Sequence, residues 1–270
     1  NMGGNIIDQP LPINNIAYFD PFLLIHHWES RLPGNQKKLE VGVGPHPHRG
    51  FSPVTFIYKG EVNHNDSLGN NHTISSGGTQ WMSAGKGITH SERPSEKMAK
   101  NGGELEFIQF WINTLAKNKM DQPFYLPLSK EKTPTIKNEH YKIQVVCGNY
   151  AGKKGAIKHS SPLNLLRIEM NESAQLSFEL KASDNTLIYL LDGELNINNK
   201  SCNAKNMVLF ENTGFEINVK AKKDTRFIVL SGAPLNEPVV SYGPFVMNTK
   251  SEIITALNDS QEGKLGELIE

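Results

Sequence analysis

Two histidines separated by one residue, in Pro45-His46-Pro47-His48, present their rings to the same side of an extended strand. This follows because successive strand side chains point to opposite faces. The spacing recurs in His90-Ser91-Glu92, where a third imidazole and a carboxylate share one face. Two such strands lining one barrel can close four ligands around a single ion. A lone His-x-His arises by chance in a chain with nine histidines. The second alternating pair completes a set of three imidazoles and one carboxylate, so the expected metal ligands are His46, His48, His90 and Glu92. Pro47 lacks a backbone donor and suits an edge or bulge, where strands can splay around a site.

Ligand type narrows the metal. Imidazole and carboxylate without thiolate suit iron(II), manganese, nickel, cobalt, copper or zinc, whereas calcium and magnesium prefer all-oxygen shells. Four protein ligands leave two positions on an octahedral ion for water, dioxygen or substrate, while a structural zinc site would be tetrahedral and closed. Other histidines read more blandly. One of His26 and His27 must face the interior after the apolar Phe22-Leu23-Leu24-Ile25, in a hydrogen-bonded structural role. His64 and His72 flank a polar turn and read as surface, and His140 and His159 have no partner at ligand spacing. Trp81, Met82, Phe51, Phe56, Phe107, Phe110 and Trp111 could line a pocket for a flat apolar ligand, although most of them read as ordinary core. Ala84-Gly85-Lys86-Gly87 lacks the spacing and following helix of a phosphate loop.

The elements that must position these groups are short strands. Glycines punctuate residues 40–115, and segments such as Val54-Thr55-Phe56-Ile57-Tyr58 are β-branched and aromatic, the pattern of a β-sandwich or barrel with no helix of ordinary length. A second β-rich stretch runs from about Leu163 to Ser231, and Thr186 to Glu194 echoes Val54 to Glu61 as strand, tight turn, strand. This weak repeat points to two stacked barrels of similar design. The segment from Ala116 to about His140, with Pro123, Pro127 and Pro134, reads as a surface connector, and Glu252 to Leu257 as part of a short C-terminal helix. The expected division is an N-terminal metal-bearing barrel with its connector over residues 1–135, and a C-terminal barrel with a tail over 136–270. The second barrel has no comparable ligand set, because no histidine occurs between Leu163 and Ser231. It is expected to pack, dimerise or shape the pocket.

With 28 basic and 28 acidic residues the formal charge is zero, which argues against direct nucleic-acid or anionic-membrane binding and for a neutral small substrate or a protein partner. Cys147 and Cys202 are too few for a disulfide scaffold or a cysteine zinc site and read as buried thiols of a reducing, cytoplasmic compartment. No apolar run approaches a membrane span. The Asn-rich start carries no basic region followed by an apolar core, and a chain beginning at Asn1 is expected to lack a few residues upstream.

At Asp20-Pro21-Phe22-Leu23-Leu24, His46-Pro47-His48-Arg49-Gly50-Phe51, Asp66-Ser67-Leu68-Gly69, Gln80 through Glu92 and Tyr242-Gly243-Pro244-Phe245-Val246-Met247-Asn248, the chain closely resembles the pirin family. The resemblance implies an all-β bicupin, two stacked antiparallel, jelly-roll-like β-barrels with the metal in the N-terminal one. It also implies iron as the usual occupant, held by His46, His48, His90 and Glu92. The sequence departs from the general cupin pattern at Ser52-Pro53, where many pirins have Glu-Thr, and its carboxylate comes from Glu92 instead. Bacterial pirins imply quercetin 2,3-dioxygenase activity, in which a flavonol is deprotonated and reacts with dioxygen, opening its heterocycle and releasing carbon monoxide. Glu92 would then be the catalytic proton acceptor as well as a ligand. Related aromatic enols are alternative substrates. Resemblance to eukaryotic pirins implies instead an iron-dependent, redox-sensing regulatory protein that binds a protein partner. A third possibility is a metal that only stabilises the N-terminal barrel.

Overall fold

Residues 7–270 are described by the structure, a computed structural model. The Asn-rich start, read as having no basic region followed by an apolar core, falls largely on residues 1–6, outside the described residues. The chain forms two compact units, one of residues up to 18, 22–130 and 236–270, the other of residues 19–21 and 131–235.

In the first unit the strands are β1 (Ile7–Leu11), β2 (Phe22–Leu32), β3 (Val43–His48), β4 (Phe51–Lys59), β5 (Glu61–Asp66), β6 (Asn71–Ser75), β7 (Thr79–Ser83), β8 (Ile88–Pro94), β9 (Gly103–Asn113) and β10 (Phe124–Leu128). A six-residue helix α1 (Glu96–Asn101) lies between β8 and β9. The second unit comprises β11 (Thr135–Lys137), β12 (Tyr141–Cys147), the small hairpin of β13 (Asn149–Tyr150) and β14 (Lys153–Lys154), then β15 (Leu163–Met170), β16 (Gln175–Glu179), β17 (Asn185–Asp192) and β18 (Glu194–Ile197). It ends with β19 (Lys200–Asn203), β20 (Met207–Leu209), β21 (Glu216–Ala221) and β22 (Thr225–Gly232). The hairpin of β23 (Val240–Tyr242) and β24 (Phe245–Met247) and helix α2 (Lys250–Gln261) belong to the first unit.

Each unit pairs a six-stranded antiparallel sheet with a four-stranded one. The orders are β1-β2-β9-β4-β7-β10 with β3-β8-β5-β6, and β11-β12-β15-β22-β17-β20 with β16-β21-β18-β19. Eight strands of the two units match one for one in this wiring, β2 to β9 against β15 to β22. The fold is therefore all-β and repeats a jelly-roll-like design, as the echo between Val54–Glu61 and Thr186–Glu194 suggested. The matching turns at Gly60 and Gly193 both need a positive φ, at 76° and 81°. The units are not closed barrels: among the described residues no ladder joins the edges of the two sheets.

The connector expectation needs correction. Within residues 116–140, β10 extends the large sheet beside β7 with Tyr125 opposite Met82, and β11 pairs with β12. Pro127 is tolerated because an edge strand loses no ladder bond there. Lys119 is buried, and its ammonium donates to Gly50 O (2.7 Å), Asn113 Oδ1 (2.7 Å) and Val246 O (3.1 Å). The expected C-terminal helix is α2, started by a capping box between Thr249 and Glu252. Both cysteines are free and buried. No helix among the described residues is long and apolar enough to cross a membrane.

Candidate metal centre

Strands β3 and β8 pair antiparallel with His46 opposite His90. Alternation then puts His46 and His48 on one face of β3, and His90 and Glu92 on one face of β8. Gly50, in the turn between β3 and β4, has φ +86°, and an added Cβ would lie 2.1 Å from Val246 O, so the turn that follows His48 admits no side chain there. His46, His48 and His90 offer ligand atoms that all lie within 4.8 Å of one another. Their ring centroids are 4.4–5.0 Å apart.

In each ring Nδ1 is already engaged. His46 Nδ1 meets Gly44 O at 2.8 Å, His48 Nδ1 meets Pro244 O at 3.3 Å, and His90 Nδ1 meets His64 Nδ1 at 3.3 Å. Nε2 is left as the nitrogen available to a metal, and anchoring the other ring nitrogen is how proteins orient histidine ligands. His90 Nε2 is buried and has no hydrogen-bond partner. Such an atom is costly unless something occupies its lone pair, so the donor set fits a transition-metal ion. Burial first, then the neighbouring histidines, hold His48 and His90 well below the usual histidine range. Both rings are therefore neutral at pH 7, the form that can ligate.

Glu92 stands apart from this group. Its Oε1 accepts from Thr55 Oγ1 (3.3 Å) and its Oε2 from Gln109 Nε2 (2.7 Å). The structure thus brings together three of the four expected ligands, while the carboxylate is held against the large sheet. Glu92 and Gln109 line a cavity of about 210 Å³ together with Trp28, Phe107, Val62 and Leu105. The three histidines do not line it. Trp28 and Phe107 stack there with centroids 5.4 Å apart. At the other end of the interior, Phe51 and Trp111 pack on His48 at 5.1 and 5.5 Å. Phe56, Trp81 and Phe110 are fully buried core.

The outer face of β8 is also occupied. Thr89 Oγ1 donates to Leu265 O at 3.4 Å, while Ser91 and Arg93 bind the Glu270 carboxylate, Arg93 at 2.6–2.8 Å. Ser52 lies on the opposite face of β4 from Thr55 and so points away from Glu92.

His64, expected at the surface, is 1% exposed. The polar turn beside it suggested exposure, but Val62, His64 and Asp66 alternate along β5 and face inward, with His64 opposite Glu92. That alternation was the available signal. His64 Nε2 meets Asp66 Oδ2 at 2.9 Å, and its ring lies parallel to Tyr125 with centroids 3.8 Å apart. Burial raises the Asp66 pKa, yet hydrogen bonds from His64 and Asn70 outweigh it and keep the carboxyl below its usual value. His72 is exposed, as expected, and His27 is buried beside Glu106 at 3.4 Å. His140 is exposed, and His159 bonds Ser161.

The Pirin family profile matches residues 6–112, and the Pirin C-terminal cupin domain matches residues 165–266. A Pseudomonas aeruginosa protein named "putative quercetin 2,3-dioxygenase" is 34% identical over 92% of this chain and 87% of its own. A tomato (Solanum lycopersicum) pirin-like protein is 33% identical over 97% of this chain and 88% of its own. The crystal structure of a quercetin 2,3-dioxygenase from Acinetobacter baumannii superposes with a TM-score of 0.89 at 37% identity, covering 93% of this chain and 88% of that one. A bacterial pirin from Escherichia coli, solved in complex with nickel(II), shares the fold with a TM-score of 0.65 at 21% identity, over 82% of this chain and 86% of its own.

Proposed function

The chain belongs to the pirin family, and on that footing we propose that it is a metal-dependent dioxygenase acting on quercetin-like flavonols or related aromatic enols. The observation that carries this reading is the convergence of three histidines, one of them, with an orphaned Nε2, on the strand whose next inward residue, Glu92, lines a cavity. His46, His48 and His90 would hold one divalent ion, iron(II) by family resemblance, with Glu92 as the fourth ligand when it turns from Thr55 and Gln109. The ion would supply Lewis acidity toward an enol oxygen.

The protein's own residues do the rest. In the position observed, held by Gln109 and Thr55, Glu92 is the acceptor for the proton of the substrate hydroxyl. Trp28 and Phe107 offer the flat apolar wall that an aromatic ring stacks on. The cavity, about 210 Å³, reaches the site through Glu92 and Gln109. Two free thiols suit a reducing, cytoplasmic setting.

Elemental analysis of the purified protein identifies the metal. Anaerobic iron(II) loading followed by quercetin and measured oxygen uptake then tests the activity. Turnover that exceeds the His48→Ala variant supports the reading. Metal retention with no turnover above that variant sinks it and turns attention to a regulatory role.

A further inference from the structure

We propose that Asp66, His64 and Tyr125 form an outer shell that fixes the tautomer and ring plane of His90, leaving Nε2 as its ligand atom. The proposal rests on the metal-binding reading above and extends it to three residues that touch no metal. An ionised carboxylate can only accept, so at 2.9 Å from Asp66 Oδ2 the hydrogen sits on His64 Nε2. One hydrogen lies between His64 Nδ1 and His90 Nδ1, and only if His90 carries it does His90 Nε2 keep a lone pair for a metal, which makes His64 Nδ1 the acceptor. The 3.3 Å approach of His90 Nδ1 to that atom places the hydrogen on His90 Nδ1, and its lone pair falls on Nε2, the buried nitrogen without a partner.

The base of the chain is rigid. Asp66 Oδ1 accepts from Leu68 N at 2.9 Å and Asn70 N at 3.1 Å, and Asn70 Nδ2 reaches Oδ2 at 2.9 Å. Tyr125 lies flat on the His64 ring, with an interplanar angle of 3°, and sets its plane. The three ligands differ in this respect. His46 and His48 are oriented by main-chain carbonyls, those of Gly44 and Pro244, which substitution cannot remove. Of the three histidines only His90 has its second ring nitrogen on a side chain, so substitutions at His64 and Asp66 reach the metal site through it.

Long-range 1H–15N NMR of the metal-free wild type reads the tautomer directly. Hydrogen on His90 Nδ1 supports the proposal, and hydrogen on Nε2 overturns it whatever the variants do. Cobalt(II) affinity, measured by chelator competition, is expected to fall about 10–100-fold in His64→Leu. Asp66→Asn, which keeps an acceptor, should fall less, Tyr125→Leu should also weaken binding, and Tyr125→Phe should leave it within about threefold. Unchanged cobalt affinity in both His64→Leu and Asp66→Asn, with unaltered unfolding of the metal-free protein, overturns the proposal. A wild type that shows the Nδ1 tautomer but binds no cobalt overturns the metal reading and leaves the hydrogen-bond chain standing.

Discussion

The two units share their strand wiring and differ in what they put inside it. Cross-strand register makes the comparison residue by residue. His46 opposite His90 on β3 and β8 corresponds to Phe178 opposite Ile217 on β16 and β21. His64 opposite Glu92 corresponds to Ile197 opposite Val219, and Thr55 opposite Gln109 to Ile188 opposite Val229. All six residues of the second set lie in one apolar cluster. One backbone design therefore serves as a ligand cage when its inward positions are polar and mutually bonded, and as a plain hydrophobic core when they are not. A polar interior works only as a complete network, because each buried polar group needs its partner.

The sharpest way to break this comparison is Val219→Glu, which puts a carboxylate where the first unit has Glu92 but where Ile188 and Val229 replace Thr55 and Gln109. We expect a loss of about 3–5 kcal/mol, the scale for an uncompensated buried charge, in urea unfolding. A loss under about 1 kcal/mol would mean that the partners of Glu92 matter little. Next, His48→Ala should empty the site in elemental analysis and abolish stabilisation by added metal. That stabilisation is about 2.7 kcal/mol at 100 times Kd, and hydrogen exchange should locate it in the first unit alone. Gln109→Leu strips one partner from Glu92 and should cost about 1–3 kcal/mol, read by urea unfolding of the metal-free protein.

The smallest expected effect is on pH dependence. An unfolded histidine takes up a proton near 6.5, whereas burial keeps His48 and His90 neutral well below that value. Below about pH 6.5 the unfolded chain binds more protons. Metal-free stability therefore falls as pH drops through and below that point. The decline should be steeper in hydrogen exchange of the first unit, because the second buries only His159 in this way. Equal slopes in both units would contradict it.

The histidine trio was legible because alternation along a strand survives folding: His46, His48 and His90 needed only to lie on two paired strands. The carboxylate was less so. Glu92 sits where alternation puts it, yet its side chain answers to Thr55 and Gln109, which come from the facing sheet and have no spacing relation to it. His64 was misjudged because the polar residues after it dominate its local composition, while its inward direction depends on pairing with β8. Nothing in the composition of residues 236–270 indicates that Pro244 O would orient His48 or that Val246 would close over Gly50. Such contacts join residues nearly two hundred positions apart, and only the folded chain reveals them.

Strand β8 carries different attachments on its two faces, His90 and Glu92 inward, Thr89, Ser91 and Arg93 toward Leu265 and Glu270. A slip of one residue in its pairing would exchange the two sets, turning hydroxyls and a guanidinium into the interior and the imidazole outward. The misregistered chain would lose its interior contacts and its grip on the closing segment together. Errors in assembling this sheet are thus checked twice by the same strand, and a polar interior that would otherwise tolerate slippage accepts a single alignment.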